Sequence, residues 1–194
     1  MIDLIWEFFK PCNVLLSGGK LKINDFNLGF PMFLNKTSNS ACDTHWPYRC
    51  DQLGVVTYLR SPEECGRQQV KENSDTYSLG TVIYFILTGK KPYRMEPVYS
   101  KNGTIFSKEN IVNSTILRFT SLNQTESTHR IQNGILPYIP NFSRLSNGCC
   151  DTGKHRHAYK ALKKSIEMAL TFDSSRRPSA SDVLMYLTES LNRI

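Results

Sequence analysis

At 194 residues, with 40% hydrophobic and 21% charged side chains, the chain can bury a core of its own and is too apolar for a disordered segment. It has no run of eighteen uncharged apolar residues, so no membrane span is expected, and the N-terminal MIDLIWEFFKP lacks the basic start of a secretory leader. The formal charge of +7 is spread over separate clusters such as Lys90-Lys91 and Lys163-Lys164, without the aromatic-rich basic stripe of a single-strand binder, so no nucleic-acid partner is expected.

In chain order, Asn13 to Leu16 reads as a short strand, Ser17-Gly18-Gly19 as a hairpin turn, and Lys20 to Ile23 as a second strand with alternating polarity. Residues 29–57 hold Pro31, Pro47 and polar clusters, and read as a long functional loop. Ser61-Pro62-Glu63-Glu64 is a helix start: a capping hydroxyl, a proline in the first turn, and acids at the positive end of the dipole. Residues 75–88 are apolar on nearly every face, which predicts a helix inside the core, with Asp75 as cap and Gly89 and Pro92 as the stop. Residues 97–153 have weak periodicity and much Asn, Ser and Thr, and read as a polar, irregular insertion with one or two short helices. Residues 157–172 form an amphipathic helix through Ala158, Leu162, Ile166, Ala169 and Leu170. A last helix starts near Ser179 and presents Val183, Leu184 and Leu187. The expected fold is mainly α, with a small β-hairpin resting on the helices, since a lone hairpin is too small to stand by itself.

Five spaced motifs add an identity to this order. Lys10-Pro11-Cys12-Asn13 precedes the first strand, and Asp25-Phe26-Asn27-Leu28-Gly29 follows the second. Ser61-Pro62-Glu63 opens the capped helix, Asp75-Thr76-Tyr77-Ser78-Leu79-Gly80 opens the apolar one, and Arg177-Pro178 precedes the last. In this order they resemble the C-terminal lobe of a eukaryotic protein kinase of the Ser/Thr type, across nearly the whole chain. The resemblance implies that residues 1–194 are a partial kinase domain, N-terminally truncated. Residues 25–63 would be its activation segment and 97–153 an insertion.

The implied activity is transfer of the ATP γ-phosphate to Ser or Thr of a protein. Asn13 and Asp25 would be ligands of Mg²⁺, Lys10 the charge on the transferring phosphate, and Lys10, Asn13 and Asp25 together the ATP-binding set. Glu63, Asp75 and Arg177 would be structural, with Glu63 paired to Arg177 and Asp75 holding the catalytic loop. Thr57 and Tyr58 are candidate phosphate acceptors or substrate-seat residues. The pattern departs at Trp6-Glu7-Phe8, where the family has His-Arg-Asp. Phe8 thus occupies the place of the catalytic aspartate and cannot take a proton, so the chain as written is expected to be inactive. Asn27 replaces a glycine, and asparagine keeps access to the left-handed region that the turn there needs. The alternative is a pseudokinase-like half-domain that binds a protein partner, with Ile5, Trp6, Phe8 and Phe9 as apolar contacts.

Other residue groups carry weaker signals. Cys149, Cys150, His155 and His157, and Cys42, His45 and Cys50, have ligand types for zinc but match no standard spacing. The six cysteines are too sparse for a disulfide scaffold and read as reduced thiols. With no targeting signal, they suggest an intracellular protein, cytoplasmic or nuclear.

Overall fold

The computed structural model describes residues 3–6, 10–25, 29–32, 34–35, 37–38, 40–41, 57–66, 68–101, 104–106, 115–142 and 152–193. The fold is mainly helical, with small antiparallel strand pairs. Five α-helices are described: α1 (Pro62–Gly66), α2 (Glu72–Thr88), α3 (Gln124–Gln132), α4 (Gly153–Ala169) and α5 (Ala180–Leu191).

Helix α2 is the axis of the core. It buries Tyr77, Val82, Ile83 and Tyr84, and its polar Ser74, Thr76, Ser78 and Thr81 are buried too. Ser78 donates to the Leu59 carbonyl, tying α2 to the segment before α1, and Thr81 donates to the Ser78 carbonyl within the helix. Helix α4 lies against α2 at Gly80. A Cβ there would come within 2.8 Å of Ala169 Cβ and 2.9 Å of Leu170 Cδ2, so the glycine permits the close approach. Helix α5 packs mainly on α4 and buries Val183 fully.

The helix ends follow local chemistry. Ser61 and Glu64 cap each other at α1, as do Asn123 and Glu126 at α3 and Ser179 and Asp182 at α5. Helix α2 stops at Gly89, whose φ of 65° is left-handed. Its start differs from expectation: α2 begins at Glu72, with Lys71 as N-cap, so Asp75 lies inside the first turn rather than at the cap. Leu184 is also displaced from its expected place. It is 64% exposed, because it sits one residue, about 100°, around α5 from Val183 and outside the Val183–Leu187 stripe.

Strands β2 (Val14–Ser17) and β3 (Lys20–Ile23) form the hairpin, with Leu16 opposite Leu21 and a turn through Gly18 and Gly19 at φ of 59° and 73°. Strand β1 (Asp3–Trp6) pairs with β4 (Gly29–Met32), and β5 (Leu34–Asn35) with β6 (Ser40–Ala41).

The described parts of the polar 97–153 segment hold more regular structure than its periodicity suggests. Strands β7 (Met95–Lys101), β8 (Thr104–Phe106) and β9 (Thr115–Ser121) build an antiparallel sheet of order β8-β7-β9, followed by α3. Pro97 obscures β7 in the sequence, because proline cannot donate to a ladder. It is tolerated because β8 pairs only with Tyr99–Lys101, leaving β9 as the one neighbour of the Pro97 half, and the register shifts between Val98 and Tyr99. The expectation of reduced cysteines is corrected as well: Cys65 is disulfide-bonded. Cys12 is free and exposed.

Candidate active site

The hairpin brings together the residues at its open end. The Lys10–Asn13 segment forms a single 3-10 turn, in which the Asn13 N–H donates to the Lys10 carbonyl at 2.9 Å. Across the hairpin, the Asn24 N–H donates to the Asn13 carbonyl at 2.8 Å. This continues the Val14–Ile23 pairing by one step and sets Asn13 beside the Asn24-Asp25 end.

Asp25 has a φ of 70°, in the left-handed region that Asp and Asn tolerate better than most residues. Its carboxylate approaches the ammonium of Lys10, with Nζ and Oδ2 4.0 Å apart, and both side chains are partly exposed. The Asn13 side chain is buried, at 4% exposure. A buried amide, a half-open carboxylate and a cation therefore share one end of two short strands. An amide oxygen and a carboxylate oxygen are suitable hard donors for Mg²⁺, and the ammonium suits a phosphate. Phe8, Glu7, Phe26 and Asn27 lie outside the described residues, as do the side chains of Ile5, Trp6 and Thr57 and all of Phe9.

A second assembly forms around Arg177. Arg177 grips Glu63 with both terminal nitrogens, Nη1 to Oε1 at 2.6 Å and Nη2 to Oε2 at 3.0 Å. It also donates to the carbonyls of Asn73, Thr171 and Phe172 and stacks on Tyr77 at 5.0 Å. The ion pair spans 114 residues of sequence, is almost wholly buried, and ties α1 to the α4–α5 connection through the start of α2. Ser74 adds a 2.7 Å donor to Glu63 Oε1. Burial pushes the Glu63 carboxyl up, but the Arg177 and Ser74 hydrogen bonds and the Arg177 charge outweigh it and hold the group below its ordinary range.

The neighbouring Glu64 goes the other way. Burial raises it, and the charge of Arg60 with the Ser61 N–H returns only part of the shift. The Arg60–Glu64 pair, at 2.9 Å and with both side chains at 4% exposure or less, escaped the sequence reading. Its signal is the i, i+4 spacing of opposite charges.

Tyr58 is placed as a packing residue. The residue is 7% exposed, with Lys91 Nζ 5.4 Å and Arg94 Cζ 5.8 Å from the ring centroid. A modifying enzyme reaching its hydroxyl would first have to draw the ring out of this site. Beside it, a cavity of about 420 Å³ opens between the Lys10–Cys12 turn, Tyr58-Leu59, Phe85 of α2 and Lys91-Pro92. The histidines of the zinc candidate are otherwise engaged, His155 with Thr152 and His157 with the Ser190 carbonyl, and its cysteines lie outside the described residues. No group of three potential metal ligands of the His, Cys, Asp or Glu type occurs among the described residues. Nor is any helix among them long and apolar enough to cross a membrane.

Comparison with known proteins places this geometry. The family model for the protein kinase domain matches residues 4–186. The serine/threonine-protein kinase PknB of Mycolicibacterium smegmatis is 39% identical over 91 residues, which are 46% of this chain and 13% of that protein. Among solved structures, the twitchin kinase region from C. elegans superposes with a TM-score of 0.55 at 17% identity, covering 95% of this chain and 25% of that one. Titin kinase with its flanking domains gives a TM-score of 0.57 at 14% identity, over 98% of this chain and 27% of that one. The two structures share the fold, and the family match spans the hairpin, the Glu63–Arg177 tie and the helical core: the chain belongs to the protein kinase domain family.

Proposed function

We propose that this chain supplies Lys10, Asn13 and Asp25 to Ser/Thr phosphoryl transfer from magnesium ATP to a protein, and that the chain alone does not turn over. The observation that carries the first part is the Lys10–Asp25 approach at 4.0 Å beside buried Asn13. Asn13 and Asp25 would hold the metal through oxygen, and Lys10 would face the phosphate. When bound, magnesium ATP supplies the phosphoryl group and neutralises the charge that spreads over its oxygens.

In such a transfer the bond from phosphorus to the ADP oxygen breaks, a bond to the acceptor hydroxyl oxygen forms, and the hydroxyl proton must leave. Phe8, at the position that the resemblance assigns to the proton acceptor, has no atom to receive it. The 91 matched residues span 13% of the length of PknB.

The test is a titration with Mn²⁺-ADP, read by paramagnetic broadening of NMR signals from the hairpin, with a phosphotransfer assay alongside. Broadening centred on Asp25 and lost in Asp25→Ala supports the site; broadening that survives Asp25→Ala overturns it. Metal-dependent labelling of a protein substrate, lost in the same variant, would overturn the claim that this chain does not turn over.

A further inference from the structure

Helix α4 follows local rules on its inner face and breaks them on its outer one. The helix packs on α2 and α5, and Ala161, Ser165, Ile166 and Ala169 are buried. Residues 153–164 carry five cations, Lys154, Arg156, Lys160, Lys163 and Lys164, and no Asp or Glu. Arg156, Lys160 and Lys164 follow at every fourth position, about 6 Å apart along the axis. This row lies away from the buried residues, and Lys154, Arg156, Lys160 and Lys164 are exposed. The first acid of the helix is Glu167, which stands 4.0 Å from Lys163. Among the described residues, Lys154, Lys160 and Lys164 have no ion-pair partner. The acids of neighbouring α5 do not neutralise them: Asp182 serves the α5 cap, and Glu189 makes no ion pair among the described residues.

The helix bears this row at a local cost. Lys154 and Arg156 stand at the positive end of the helix dipole, where an acid would stabilise, and the first turn holds none. Arg156 with Lys160, and Lys160 with Lys164, are like-charged pairs at the spacing where opposite charges would help. Solubility asks for neither feature, since mixed signs keep a surface soluble without the repulsion. Such a breach of local preference is expected where something outside the chain supplies the missing charge.

The geometry narrows what that can be. A bilayer is a poor match, because the apolar face of α4 is committed to the core and cannot insert. A nucleic-acid strand needs exposed aromatic rings for its bases, and Tyr159 is half-buried with its hydroxyl on the Pro140 carbonyl. A row of carboxylates with the same 6 Å repeat fits, and a helix with glutamate at every fourth residue supplies one.

We infer that the outer face of α4 docks an acidic helix of a partner protein, its carboxylates in register with Lys160 and Lys164. Arg156, held 5.8 Å over the Phe142 ring, marks the N-terminal end of the row. The inference uses none of Lys10, Asn13 and Asp25, so it stands or falls apart from the phosphotransfer reading.

The experiment measures binding of fluorescent, alanine-based helical peptides to the full chain by anisotropy. One peptide carries glutamate at every fourth residue, a second has the same glutamates distributed around the helix, and a third has lysine in their place. The first is expected to bind about tenfold more tightly than the second, and the third not at all. Lys160→Glu with Lys164→Glu should weaken the first peptide by about tenfold or more. Lys20→Glu with Lys22→Glu makes the same change of charge at exposed hairpin positions and should leave binding unchanged. Circular dichroism checks that both double variants fold, and Lys160→Gln with Lys164→Gln gives the same measurement without charge reversal.

Equal binding of the first and second peptides overturns the inference, since net attraction alone would then suffice. So does an equal loss in the Lys160/Lys164 and Lys20/Lys22 variants. Tighter binding of phosphatidylserine vesicles or of a DNA duplex, lost in the Lys160/Lys164 variant, overturns it too and assigns the face to a bilayer or to nucleic acid.

Discussion

Glu63 and Glu64 are neighbours in sequence and differ in what burial does to them. Glu63 has a bidentate arginine and a serine and stays below its ordinary pKa; Glu64 is more deeply desolvated and is raised. A depressed carboxylate contributes stability that is present above its unfolded pKa and is lost as pH falls through its folded pKa. For a raised one, stability is greatest below the unfolded pKa and is lost as pH rises through the folded pKa. Glu63→Gln should therefore flatten the acid limb of melting temperature against pH, below about pH 4.5, and Glu64→Gln the limb above it. Thermal melts across pH 3–7, of order the carboxylate range, check this; identical profiles for the two variants would refute it. Arg177→Ala leaves Glu63 buried and uncompensated, an expected loss of about 3–5 kcal/mol. Arg176→Ala, at an exposed neighbour, should stay within about 0.5 kcal/mol. Denaturant titration of the two variants separates them.

Among elements, the α2–α4 contact is the most sensitive to a single carbon. Gly80→Ala gains helix propensity of about 1 kcal/mol but drives a methyl into Ala169 and Leu170, which overpacks the core at a cost of about 1–3 kcal/mol. The net expectation is destabilisation, and a Gly80→Ala chain that melts higher would show that α4 shifts freely. Ser179→Ala removes half of the α5 capping box and should cost about 1 kcal/mol, measurable by the same titration. These helices were legible because caps, stops and apolar spacing are local signals. The start of α2 was not: Lys71 makes no side-chain cap, so nothing in the sequence outcompetes Asp75 as the apparent boundary. The β7–β9 sheet was hidden for a different reason. Its pairing is long-range, and Pro97 argues against a strand unless the one-sided neighbour is known.

For the molecule as a whole, the hairpin was legible down to its turn, and so was the placing of Asn13 and Asp25 at its open end, because two strands joined by a glycine turn must bring their open ends together. The surroundings of the hairpin were not. Val14, Leu16, Leu21 and Ile23 alternate onto one face, with Leu16 opposite Leu21 and Val14 opposite Ile23. Leu16 is 73% and Leu21 74% exposed, so the turn end of this face is bare while Val14 is half-buried, against the expectation that the hairpin rests on the helices. Apolar pairs on a small exposed hairpin contribute little to the folded core but supply a surface for self-association. The double substitution Leu16→Lys with Leu21→Lys should therefore leave the unfolding midpoint within about 0.5 kcal/mol of the parent while lowering concentration-dependent light scattering. The Asn24-to-Asn13 backbone bond closes the hairpin without either leucine, so the approach of Lys10 to Asp25 should persist. A large loss of stability would instead mean that the two leucines pack on the folded chain in solution, and the bare face would no longer explain any association.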